Sequence, residues 1–139
     1  MAFNRVSGRQ EPSAAYIKLT LGTGGDVAAQ GKYALMQLPQ KAVVTRVSVN
    51  VLDATTASTT FSVGDSANYS RYASAVAGDA VAMTTSQGTG RKTATVEDLW
   101  LTVAGATPAA FGILEIYVEY LVDGRVEYSV GSDAQTYTP

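Results

Sequence analysis

Residues 42–52 read AVVTRVSVNVL, and the spacing of their valines decides the class of fold to expect. Val43, Val47, Val49 and Val51 fall on one side with Thr45, while Arg46, Ser48 and Asn50 fall on the other. A period of two is the signature of a half-buried β-strand, because successive side chains point to opposite faces of a sheet. The same alternation returns in ILEIYVEYLV (113–122), where Leu114, Ile116, Val118, Tyr120 and Val122 oppose Glu115, Tyr117 and Glu119.

Working outward, shorter strand candidates are AYIKLTL (15–21), KYALMQL (32–38), TTFSV (59–63), AVAMT (80–84), TATV (93–96) and LWLTV (99–103), giving about eight in all. Turn-forming stretches separate them: GTGGD after Leu21, Pro39-Gln40, GTG at 88–90 and GATPAAFG at 105–112. The one helical candidate is SANYSRYASAVA (66–77), alanine-rich and capped by Asp65 or Ser66. Eight short strands in one domain predict an all-β fold, an antiparallel β-sandwich with a jelly roll favoured over an immunoglobulin-like arrangement. The expected organisation is an N-terminal arm (1–12), a sandwich domain (13–122) and a C-terminal arm (123–139).

Composition narrows the function. At 139 residues the chain can bury about two thirds of its unfolded surface. Ten basic against twelve acidic residues give a net charge of −2, and Arg91-Lys92 is the only adjacent basic pair, so no electrostatic footprint for nucleic acid is visible. No apolar run approaches the roughly 18 residues of a membrane span, and MAFNRVSGRQEP lacks the apolar stretch of a signal peptide. A soluble protein made in a cytoplasm, with no membrane partner, is expected. The chain has neither cysteine nor histidine, which excludes disulfides, thiolate chemistry and the commonest general base and metal ligand. The expectation is therefore a protein that is not an enzyme and carries no cofactor and no metal.

The remaining motifs fail on spacing. GTGRKT (88–93) places Arg91 where a phosphate-binding loop needs glycine before Lys92, so it reads as a hairpin loop with a solvated basic pair. GTGGDVAAQG (22–31) is followed by no helical period and reads as a long turn. Glu115 and Glu119 share a strand face, but α-carbons four residues apart stand roughly 13 Å from each other, which favours a solvent face over a catalytic pair. Asp65 and Asp79 flank the 66–77 loop, where a cap or turn role outweighs Ca²⁺ binding.

The arms and tyrosines are the places to look for partners. Residues 1–12 and 123–139 lack a core-forming pattern, so they either fray or order against a partner, with Phe3, Val126, Tyr128, Val130 and Tyr137 as contacts. Tyr69 and Tyr72 fall in a loop, Tyr117 on the polar face of a strand and Trp100 in an apolar run. Tyrosine suits protein interfaces and sugar stacking alike; a sugar platform requires coplanar rings on one patch.

The stretch LPQKAVVTRVSVNVLDATTASTTFSVGDSANYSRYAS (38–74) resembles a segment of tailed-phage capsid cement, or head-decoration, proteins. In it a proline turn leads to a valine-rich strand, a Thr/Ala/Ser hairpin, a strand ending in Val-Gly-Asp and a polar loop closing on Arg-Tyr. The resemblance implies a jelly roll bound to the outer surface of an icosahedral virion, synthesised in the bacterial host cytoplasm. Its implied partners are an HK97-fold major capsid protein and itself, as a homodimer. The interface residues expected on that reading are Phe3, Arg5, Arg9, Tyr69, Arg71, Tyr72, Tyr117, Tyr128 and Tyr137. The rival is a carbohydrate- or receptor-binding sandwich module of a virion.

Overall fold

The computed structural model describes residues 12–55, 58–108 and 111–123. They form eight strands: β1 (Ser13–Leu21), β2 (Gly31–Leu38), β3 (Ala42–Asp53), β4 (Thr59–Gly64), β5 (Ala73–Ala77), β6 (Ala82–Gln87), β7 (Glu97–Gly105) and β8 (Gly112–Val122). One sheet has the order β1-β8-β3-β6 and the other β2-β7-β4-β5, with every neighbouring pair antiparallel. Only the β4–β5 connection stays within its sheet. All the others pass from one sheet to the other, which is the winding of a jelly roll.

The core lies between the sheets. Leu21, Val44, Val47, Val49, Val51, Leu114 and Ile116 from the first meet Leu38, Phe61, Leu99 and Leu101 from the second, all essentially inaccessible. Burial of each such side chain contributes roughly 1.5–3 kcal/mol before the entropy of ordering the chain is subtracted. Alternation along β7 buries Leu99, Leu101 and Val103 and turns Trp100 and Thr102 outward. The β8 alternation is as its sequence predicts, with Leu114, Ile116 and Val118 inside.

Four sequence expectations need correction. In β3 the buried set at the N-terminal end is Ala42 and Val44, with Val43 and Thr45 only half-buried. The pairing with β8 slips by one residue between Val44 and Arg46, and such a bulge inverts the parity of everything before it. Thr45 Oγ1 fastens the bulge by donating to the Glu119 carbonyl at 3.0 Å.

Residues 66–77 are not helical. The Tyr72 amide bonds back to the Val63 carbonyl, and residues 73–77 become β5 along β4. Residues 93–96 are not a strand: Thr93 is buried, donates to the Pro39 carbonyl at 2.6 Å and receives the Ala42 amide at 2.9 Å. The strand expected at 80–84 is displaced to 82–87, so the expected count of eight holds with a different membership.

Candidate interaction surfaces

The loop after β4 is built on Asp65, which is 1% exposed. Its Oδ1 accepts the amides of Ala67 and Asn68 at 3.0 and 2.9 Å, fixing a tight turn. Arg71 Nε donates to Oδ2 at 2.6 Å, and the Arg91 guanidinium stands 3.3 Å from the same oxygen. Arg91 in turn makes a two-pronged bond to Glu97 at 2.8 and 2.7 Å. Burial pushes the Asp65 carboxyl up, but the Arg71 bond, the Asn68 amide and the Arg91 charge outweigh it and hold the group below its ordinary value. Asp65 is thus a turn cap and the centre of an ion network. Arg91 is no solvated cation: the network ties the β4–β5 loop to the β6–β7 connection.

Gly64 makes this turn sterically feasible, since a Cβ there would lie 2.2 Å from the Asn68 carbonyl oxygen. Tyr72 is 3% exposed and packs in the core, so its ring is not offered to a partner, contrary to expectation. Tyr69 is half-buried, edge-on to Trp100 with ring centroids 6.2 Å apart, and the Lys32 ammonium lies 4.8 Å from its ring centre. Arg71 points into the Asp65 network rather than outward. Of the remaining expected contacts, Phe3, Arg5, Arg9, Tyr128 and Tyr137 lie outside the described residues.

Tyr117 belongs to the second surface, the outer face of the β1-β8-β3-β6 sheet. Strand pairing sets three rows across it: Ala14, Glu119, Arg46 and Gln87; Tyr16, Tyr117, Ser48 and Thr85; Lys18, Glu115, Asn50 and Met83. The first two rows apart from Gln87, with Met83 from the third, line a groove of about 430 Å³. Tyr16 donates its hydroxyl to Glu115, which also accepts from Asn50 at 2.9 Å and Tyr117 at 3.3 Å. The bond to Glu115 pushes the Tyr16 hydroxyl up to about 12, and the same bond lowers the Glu115 carboxyl. Glu119 is engaged separately by Arg46 at 3.1 Å and by Thr45. The two glutamates therefore serve different clusters and form no catalytic pair.

The ring pairs on the two surfaces are tilted by 43° (Tyr16 and Tyr117) and 70° (Tyr69 and Trp100), so neither presents the common plane of a sugar-stacking platform. Among the described residues no group of three acidic or other metal-ligating side chains comes together, and no helix is long and apolar enough to cross a membrane. Sequence reasoning passed over Tyr16 and Lys32. Tyr16 was readable from AYIKLTL, where alternation sends Tyr16, Lys18 and Thr20 to the face opposite Ile17, Leu19 and Leu21. The joining of Asp65 to Arg91 carries no local signal.

No protein-family model and no curated protein matches the chain. Solved structures do. A chain in the capsid asymmetric unit of cyanophage Pam1 superposes with a TM-score of 0.65 at 22% identity, over 88% of this chain and 91% of that one. A chain in the acid-stable capsid of Helicobacter pylori bacteriophage KHP30 gives 0.59 at 21%, over 86% and 100%. One from the capsid of Ralstonia phage GP4 gives 0.64 at 20%, over 83% and 86%. The shared property is the fold. In each case the likeness spans most of the neighbour.

Proposed function

We propose that this protein is a phage virion structural protein, a cement or decoration protein seated on the outer surface of an icosahedral capsid. The observation that carries the reading is the near full-length fold likeness to chains found in three phage capsid structures. Its partners are the HK97-fold major capsid protein and a second copy of itself, and it acts by bridging capsid subunits.

The mechanism needs no chemistry. A specific protein interface buries about 1,200–2,000 Å², and a paired molecule touching two capsomers binds more tightly than either contact alone because the second contact is intramolecular. Ligation of the assembled shell, and not of free subunits, stabilises the shell by mass action. The Asp65 network suits this task, since a loop fixed by internal ion pairs loses little entropy when it docks.

The test mixes purified protein with capsids lacking it and follows co-sedimentation together with rupture by heat or low salt. Saturable binding that raises the rupture threshold is the expected result; absence of binding to shells of its own source overturns the reading. The second reading, a carbohydrate- or receptor-binding module, draws on the groove beside Tyr16 and Tyr117. It requires that Y16A/Y117A abolish glycan or receptor binding and leave shell association intact.

A further inference from the structure

The four strands at the sheet edges are not equally protected. An uncovered edge offers unpaired N–H and C=O groups to any extended chain, and proteins normally blunt it with charge, proline or a bulge. β1 follows Pro12 and carries Lys18. β2 carries Lys32 and a register shift between Ala34 and Met36. β5 is short, shifts register against β4 and holds Ala75 in a left-handed conformation (φ 49°). β6 has none of these devices. Its sequence AMTTSQ is free of charge and proline, and it pairs with β3 over six consecutive residues without a slip.

The faces of β6 are uncovered too. Ala82 and Thr84 stand beside Val51 and Val49 on the inner side of the sheet, yet they are exposed while the valines are fully buried. Met83 on the outer side and Val81 just before the strand are 56% and 67% exposed. The core thus ends at β6 without a cover, and among the described residues β3 is its only ladder partner.

The chain contains a segment that fits this edge. Residues 125–130, RVEYSV, alternate Val126, Tyr128 and Val130 with Arg125, Glu127 and Ser129, the pattern and residue types of a strand with one apolar face. The segment is too close to Asp123 to lie along β6 of its own copy. Asp123 is fixed beside β3 by its amide bond to the Lys41 carbonyl and by Lys92 at 2.8 Å. From there the outer edge of β6 at Gln87 lies three strand spacings sideways and four residues along the sheet, about 19 Å away. About six extended residues are needed to cover that distance, so residue 129 is the first to arrive and 125–128 fall short.

We propose that β6 receives residues 125–130 of a second copy of this chain as an added antiparallel strand, with Val126 beside Ser86, Tyr128 beside Thr84 and Val130 beside Ala82. The exchange is reciprocal, so it closes a two-fold dimer in which each copy completes the other's sheet. This deepens the paired state in the proposed function and rests on it. Shell binding is a separate property.

The test uses the full chain, since it contains no cysteine to interfere. Light scattering should give twice the 14.5 kDa chain mass, falling to a single chain mass in V126D/Y128D/V130D and in T84K, with circular dichroism unchanged in both. Thr84→Cys combined in turn with Val126→Cys, Tyr128→Cys or Val130→Cys should give an oxidised dimer for at least one pairing. Crosslinking within one chain, a dimer indifferent to both disruptive variants, or a wild-type monomer at 100 μM order (about 10⁻⁴ M, far above the dissociation constants of specific complexes) each overturns the inference. Co-sedimentation of the wild-type protein with capsids, measured in parallel, shows whether the cement reading stands when the strand exchange does not.

Discussion

Replacement of Asp65 tests how the loop at residues 64–72 is held. Asp65→Asn keeps an oxygen for the Ala67 and Asn68 amides but removes the charge facing Arg71 at 2.6 Å and Arg91 at 3.3 Å, and turns an N–H₂ group toward those cations. Hydrogen bonds to charged groups are worth about 1.5–3 kcal/mol each. The two arginine side chains keep 22% and 27% of their exposure, so they regain water and part of that loss is recovered. The expected cost is about 2–3 kcal/mol for D65N, and about 3–4 kcal/mol for D65A, which also orphans the two amides. For a domain of this size that lowers Tm by about 6–12 °C.

Acid titration supplies the sign. The folded carboxyl holds its proton less tightly than the unfolded one, so its contribution is complete above the ordinary carboxylate value of about 4 and is lost as pH falls through the depressed folded value. The stability gap between wild type and D65N should therefore be constant from pH 7 to 5 and shrink below about pH 4. Denaturant melts at each pH measure it. A D65N protein within about 0.5 kcal/mol of wild type at pH 7, or a gap that widens in acid, refutes the reasoning.

Two further outcomes are expected. Absorbance titration should find one tyrosine ionising near pH 12, and Glu115→Gln should bring it back toward the ordinary tyrosine range, because the Tyr16 bond to the carboxylate is the chief cause of its shift. Gly88→Ala should lower Tm by more than an exposed-loop change such as Thr89→Ala: a Cβ at Gly88 would meet the Val44 carbonyl at 1.9 Å, and that carbonyl is fixed backbone beside the β3 bulge. Equal melting of the two variants would show that the bulge yields easily.

The architecture was legible in the sequence where two sheet faces differ strongly in polarity. β8 and the second half of β3 alternate in polarity, because their outer side chains are Glu115, Tyr117, Ser48 and Asn50, although Ser48 is itself covered. The pattern misled at Val43 because a bulge is invisible to a period of two. It missed β5 because an alanine-rich stretch has helical propensity, which the Asp65 turn and the pairing with β4 override. Thr93 looked like a strand residue and is instead a buried crosspiece between Pro39 and Ala42. As for the surface, Tyr117 was readable from its strand, whereas Tyr72 took a core position that no local pattern announces. The expected contacts in the arms remain part of the proposal.

The strand order has a consequence for synthesis. Ser13 pairs with Tyr120, and β8 separates β1 from β3, so the first sheet cannot close until the ribosome has delivered almost the last described residue. The second sheet needs nothing beyond Gly105. Such distant pairings make folding slow, and until β8 is in place β1 has no ladder partner among the described residues. The step that completes the sandwich is thus the insertion of β8 between β1 and β3.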